Sequence, residues 1–126
     1  MSPKNWTDER NTFYAALMFY TRLPVPGSYR HNENYVSQAA KYLPVIGCVV
    51  GALSAGVFLA AEAVLSVPTA ILASIITSVL VTGALHEDGF ADVCDGFGAG
   101  AERERILQIM ADSCLGSYGT IGLILL

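Results

Sequence analysis

Residues 42–61, YLPVIGCVVGALSAGVFLAA, contain no charged side chain, and residues 63–85, AVLSVPTAILASIITSVLVTGAL, contain none either; only Glu62 separates them. Each run has about the length that crosses the hydrocarbon core of a bilayer as a helix. Two such runs in succession suit lipid better than the interior of a small soluble domain. The sequence therefore predicts an all-α chain, a polytopic integral membrane helical bundle whose first two spans form an antiparallel hairpin. Gly47, Gly51 and Gly56, with Ala52 and Ala55, offer small residues for close helix packing, and Pro68 is expected at the turn or in the first turn of the second helix. Overall composition agrees: 53% of the 126 residues are hydrophobic and 14% charged, against about 25% charged in a typical soluble domain.

The division expected is an amino-terminal segment, 1–41, followed by a membrane domain, 42–126, with an acidic stretch at 86–112. In the first segment, RNTFYAALMFYT places Phe13, Leu17 and Tyr20 on one face with Ala16 between them. It is too short to span and is read as an interfacial helix. RLPVPGSYRHNENY follows as a loop, with Arg22 and Arg30 as its cations. The basic residues before Tyr42 (Lys4, Arg10, Arg22, Arg30, Lys41) outnumber the acidic ones (Asp8, Glu9, Glu33), which puts this end on the cytoplasmic side. Two crossings return the chain to the same side at His86. No basic block indicates nucleic acid, and Cys48, Cys94 and Cys114 form neither a CxxC pair nor a zinc pattern. The chain stops within the apolar run GTIGLILL, so a fragment of a longer protein is expected.

At that returning boundary stands HEDGFADVCDG. Asp88, Asp92 and Asp95 follow a spacing of i, i+4 and i+7, which groups them within roughly 60° on a helix, with Glu87 offset by about 100° from Asp88. Carboxylates stacked in this way repel one another unless a cation sits among them. Oxygen-only donors suit a hard cation such as Mg²⁺ or Ca²⁺, and Mg²⁺ commonly shares its shell with phosphate oxygens. The expected site is therefore a dication held by Glu87, Asp88, Asp92 and Asp95 with a phosphorylated substrate. GFGAG follows as a glycine-rich break able to meet phosphate, then a helix with Ile106, Ile109 and Met110 on its apolar face. Arg103 or Arg105 is expected to clamp a phosphate, and Asp112 to join the site or act as its base if the chain doubles back. An ion-coupled transporter or channel using the same acids is the alternative.

TGALHEDGFADVCDGFG and RERILQIMADSCLGSYG, with the upstream TRLPVP and LPVIGCVVG, resemble the cobalamin-5′-phosphate synthase family, the adenosylcobinamide-GDP ribazoletransferases. The resemblance runs from about Thr21 to the end. It implies a multi-pass inner-membrane transferase, longer than this chain, that joins α-ribazole or its 5′-phosphate to adenosylcobinamide-GDP with release of GMP, the last assembly step of cobalamin. It implies Mg²⁺ as cofactor and carries the family's acidic residues onto Glu87, Asp88, Asp92, Asp95 and Asp112. Catalysis is expected from Asp112 and Glu87, and substrate binding from Arg103, Arg105 and Arg22. The chemistry is analogous to that of CDP-alcohol phosphotransferases, whose signature the chain does not match. The lipid bilayer is an expected partner and nucleic acid is not; a homo-oligomer is admitted.

Overall fold

The structure, a computed structural model, describes residues 6–26 and 33–126; Lys4, Arg30 and the middle of the expected loop lie outside these. The described residues are helical or irregular, and they divide into two compact units, Met1–Gly83 and Ala84–Leu126.

In the first unit, α1 (Trp6–Tyr20) packs on α2 (Glu33–Gln38), on the 3-10 turn Ala39–Tyr42 and on the start of α3 (Leu43–Glu62). Its contact face is the one the aromatic spacing predicts. Ala16 is buried with Ala39 and Ile46, and Phe13, Leu17, Tyr20, Tyr42 and Val50 close around them. Phe13 meets Tyr42 edge to face at 5.6 Å, a favoured aromatic geometry. That face is thus turned to protein, while Met18 and Phe19 on the other side are exposed. A polar clasp holds the outer end: Glu9 Oε2 accepts from Lys41 Nζ at 2.7 Å and from Tyr42 Oη at 2.6 Å, and Tyr35 Oη donates to Asp8 Oδ1 at 2.9 Å.

α3 and α4 (Val67–Thr82) form the expected hairpin across the short link 63–66. Pro44 and Pro68 sit in their first turns, where the missing N–H costs nothing. Two details differ from expectation. Gly47, Gly51 and Gly56 have nothing within 4 Å of where a Cβ would stand; their faces are open among the described residues and do not seat α4. And α4 covers only 16 residues, about 24 Å, because Gly83 adopts φ 68° and ends it through its N–H on Val79 O, a left-handed cap that glycine takes without Cβ strain. By length and composition the described residues contain one helical stretch able to cross a membrane, Asn34–Glu62, or two if α4 and the helix after it are counted as one interrupted span. Leu53, Leu59, Ile71, Leu72, Ile75, Ile76 and Leu80 are all exposed. The hydroxyls of α4 fold back onto its own backbone: Thr77 onto Ala73 O, Ser78 onto Ile75 O, Thr82 onto Ser78 O. The helix thereby presents an almost wholly apolar surface.

The second unit is α5 (Leu85–Ala99), α6 (Arg103–Met110) and α7 (Ser117–Leu125), with α5 in contact with both others. α5 begins after Ala84, which holds φ 61°. It continues unbroken through Gly96, Phe97 and Gly98, so GFGAG is the last turns of a helix and not a loop. Its amides are committed within the helix and leave no glycine-rich cradle for phosphate. The glycines serve packing. A Cβ at Gly96 would stand 2.8 Å from Met110 Cγ, and one at Gly98 would enter the Tyr118 ring.

Candidate functional site

All four clustered acids lie on α5, as the helical spacing predicts, but their surroundings differ. Asp88 is exposed, Glu87 and Asp92 are half-buried, and Asp95 is 6% exposed. Asp95 reaches the start of α7. Its Oδ2 accepts the Gly116 N–H at 2.7 Å and its Oδ1 the Gly119 N–H at 2.8 Å. A helix start carries unpaired N–H groups and a partial positive charge, and Asp95 answers both from 21 to 24 residues away. Only glycine admits this approach, since a Cβ at Gly116 or Gly119 would collide with the carboxylate. Sequence reasoning missed this capping role; SYG at the head of an apolar helix without a Ser, Thr, Asp or Asn at its cap was the available signal.

α6 doubles back on α5 and carries the following segment to the acids, as the position of Asp112 suggested. Asp88, Asp92 and Asp112 line one cavity of about 290 Å³, together with Ala91, Met110 and Ser113. A second cavity, of about 300 Å³, is lined by Asp95, Arg105, Gln108, Asp112, Ser117 and Tyr118. Asp112 and Cys114 belong to both walls. Gln108 and Tyr118 were not singled out by the sequence; only proximity in the fold reveals them.

Three other expected residues are not among the lining of these cavities. Glu87 lines neither cavity, in keeping with its angular offset, and its Oε2 is buried with no hydrogen-bond partner. Arg103, in the first turn of α6, is exposed and lines neither. Arg22 belongs to the first unit. Its N–H donates to Val81 O at 2.8 Å and its side chain lies over Gly83, so its charge sits at the carbonyl end of α4, where the helix dipole favours a cation.

Among the described residues no three His, Cys, Asp or Glu side chains are close enough together to hold a metal ion by themselves. The donors still suit one class of ion. Mg²⁺ is usually bound through one or two carboxylates, with waters and substrate phosphates completing the shell. Asp88 and Asp92, one turn apart, with Asp112 on the wall of the same cavity, offer that partial set.

Asp112 also shapes its neighbour. Its Oδ1 accepts the Cys114 N–H at 3.2 Å. A hydrogen bond from the thiol to this carboxylate, followed by the carboxylate's charge, raises the Cys114 thiol above its ordinary value. In Asp112→Asn the charge is gone, the thiol falls back, and more of it is thiolate at a given pH. Iodoacetamide should then label Cys114 faster at pH 8 than in the parent protein; an unchanged rate would separate the two side chains.

The described residues thus form a helical hairpin with exposed apolar surface and, following it in sequence, an acidic three-helix unit with an arginine at its second cavity. The chain belongs to the cobalamin-5-phosphate synthase family, whose model matches residues 12–126. It is 45% identical over 118 residues to the adenosylcobinamide-GDP ribazoletransferase of Leptospira interrogans, covering 94% of this chain and 44% of that protein. It is 44% identical over 123 residues to that of Shewanella frigidimarina, covering 96% and 47%, and 42% identical over 116 residues to that of Leptothrix cholodnii, covering 92% and 44%. The chain thus spans less than half the length of these curated relatives. No solved structure matches it.

Proposed function

We propose that this chain supplies the acidic half-site of a membrane transferase that joins α-ribazole, or its 5′-phosphate, to adenosylcobinamide-GDP and releases GMP. The observation that carries the reading is the convergence of Asp88 and Asp92 from α5 with Asp112 from beyond α6 on one cavity. The name adenosylcobinamide-GDP ribazoletransferase, borne by relatives such as one 45% identical, supports this choice of substrates.

In this reaction a ribose hydroxyl attacks the phosphate attached to cobinamide. The new P–O bond forms as the pyrophosphate bridge breaks, GMP leaves with the bonding electrons, and the hydroxyl proton passes to a base. Negative charge grows on the leaving phosphate, so the protein must stabilise an anion next to its own carboxylates. Asp88 and Asp92 would hold Mg²⁺, which would supply the positive charge that phosphate oxygens need. Asp112, exposed and within the shared wall, would take the proton, with Glu87 as the second candidate. Arg105 binds the nucleotide end of the substrate. Exposed Leu and Ile side chains along α3 and α4 support an inner-membrane location, multi-pass with the rest of the bundle and with the acids on the cytoplasmic face.

The test is GMP release by purified protein in lipid nanodiscs. Release should require both substrates and stop on addition of EDTA, and excess Mg²⁺ should restore it. Release without α-ribazole, or turnover indifferent to EDTA, would count against the reading.

A further inference from the structure

The cavity on the far side of Asp112 differs in chemistry from the acidic one, and we propose that it is a nucleobase pocket selective for guanine. This rests on the transfer reading for the identity of the nucleotide. Its volume of about 300 Å³ is that of a small ligand site. Its charged groups are Asp95, Asp112 and Arg105, so a phosphate placed here would meet more negative charge than positive. The start of α7, otherwise an anion site, is already occupied by the Asp95 carboxylate. A neutral, planar, donor-rich ring escapes both penalties.

The polar walls match guanine. Arg105 has only donors, and guanine offers two acceptors, O6 and N7, on one edge. Adenine turns an amino donor toward the same groups, which arginine cannot accept. Gln108 both donates and accepts, and serves the remaining edge. Tyr118 supplies a flat face, and its ring rests where Gly98 has no side chain, so its place in the wall is fixed by packing against α5. Because Asp112 and Cys114 are common to both cavities, a nucleotide lying across them sets its base here and its phosphates beside Asp88 and Asp92.

The experiment is displacement of fluorescent mant-GDP from the purified protein by GDP, ADP and inorganic pyrophosphate. GDP should compete at least about tenfold better than ADP, in line with the discrimination of one good arginine–guanine pair. Gln108→Leu and Tyr118→Leu should each weaken GDP by about tenfold and leave pyrophosphate unchanged; Gln108→Leu should also bring the GDP to ADP ratio toward one, whereas Tyr118→Leu, which removes only stacking, should weaken ADP in step. Tyr118→Phe should bind as the parent does and so guard against a folding artefact. GDP binding by Gln108→Leu and Tyr118→Leu at the parent's affinity overturns the pocket, as does equal competition by ADP. A protein that turns over without base preference removes the pocket alone; one that prefers GDP yet releases no GMP removes the transfer reading and leaves the pocket standing.

Discussion

Asp95→Ala should destabilise the α5–α7 unit by about 3–5 kcal/mol. The carboxylate accepts two backbone N–H groups at 2.7 and 2.8 Å, and a hydrogen bond to a charged group is worth about 1.5–3 kcal/mol. Gly119 is buried, so its amide would be left without water as well as without its partner. With whole-domain stabilities of about 5–15 kcal/mol, the loss is large enough to free α7 in much of the population. Asp95→Asn keeps one acceptor and no charge and should cost about half as much. Hydrogen exchange at the Gly116 and Gly119 amides reads the effect directly. Wild-type protection of these amides in Asp95→Ala would show that α7 does not depend on the cap.

Asp88→Ala and Asp92→Ala should behave in the opposite manner. Each should slow GMP release by about 10²–10³-fold, the usual cost of deleting one electrostatic contact to a charged transition state. Neither should reduce stability. Asp88 is exposed, alanine is the better helix former, and removing one of two carboxylates at i and i+4 relieves repulsion. A metal ligand also predicts partial recovery at high Mg²⁺. The contrast would separate the three aspartates of one helix face: Asp95 holding the fold, Asp88 and Asp92 serving the proposed chemistry. Turnover near wild type in either variant would dissolve the proposed dication site.

The sequence made the acidic helix legible because i, i+4, i+7 spacing is a local property, and α5 spans all four acids. The same holds for the α1 face of Phe13, Ala16 and Leu17 and for the proline at the start of α4. What escaped reading was non-local or hidden in uniformity. Asp95 reaches its partners only after α6 has folded back, so no window of a few residues contains the cap. Gly83 and Ala84 sit inside an apolar run, and hydropathy read through them to residue 85, although a glycine there was the helix-ending signal. GFGAG looked like a loop because glycine is a poor helix former; tertiary contacts from Met110, Ile106 and Tyr118 outweigh that propensity.

The brevity of α4 has a mechanical consequence. A 16-residue helix reaches about 24 Å, and a typical hydrocarbon slab is about 30 Å thick. In the proposed membrane location, lipids around it would have to compress their acyl tails or let headgroups sink along its ends, at a cost of fractions of a kcal/mol per Å. A bilayer around it would then thin locally, bringing water and phosphate-rich headgroups nearer to both ends of the helix.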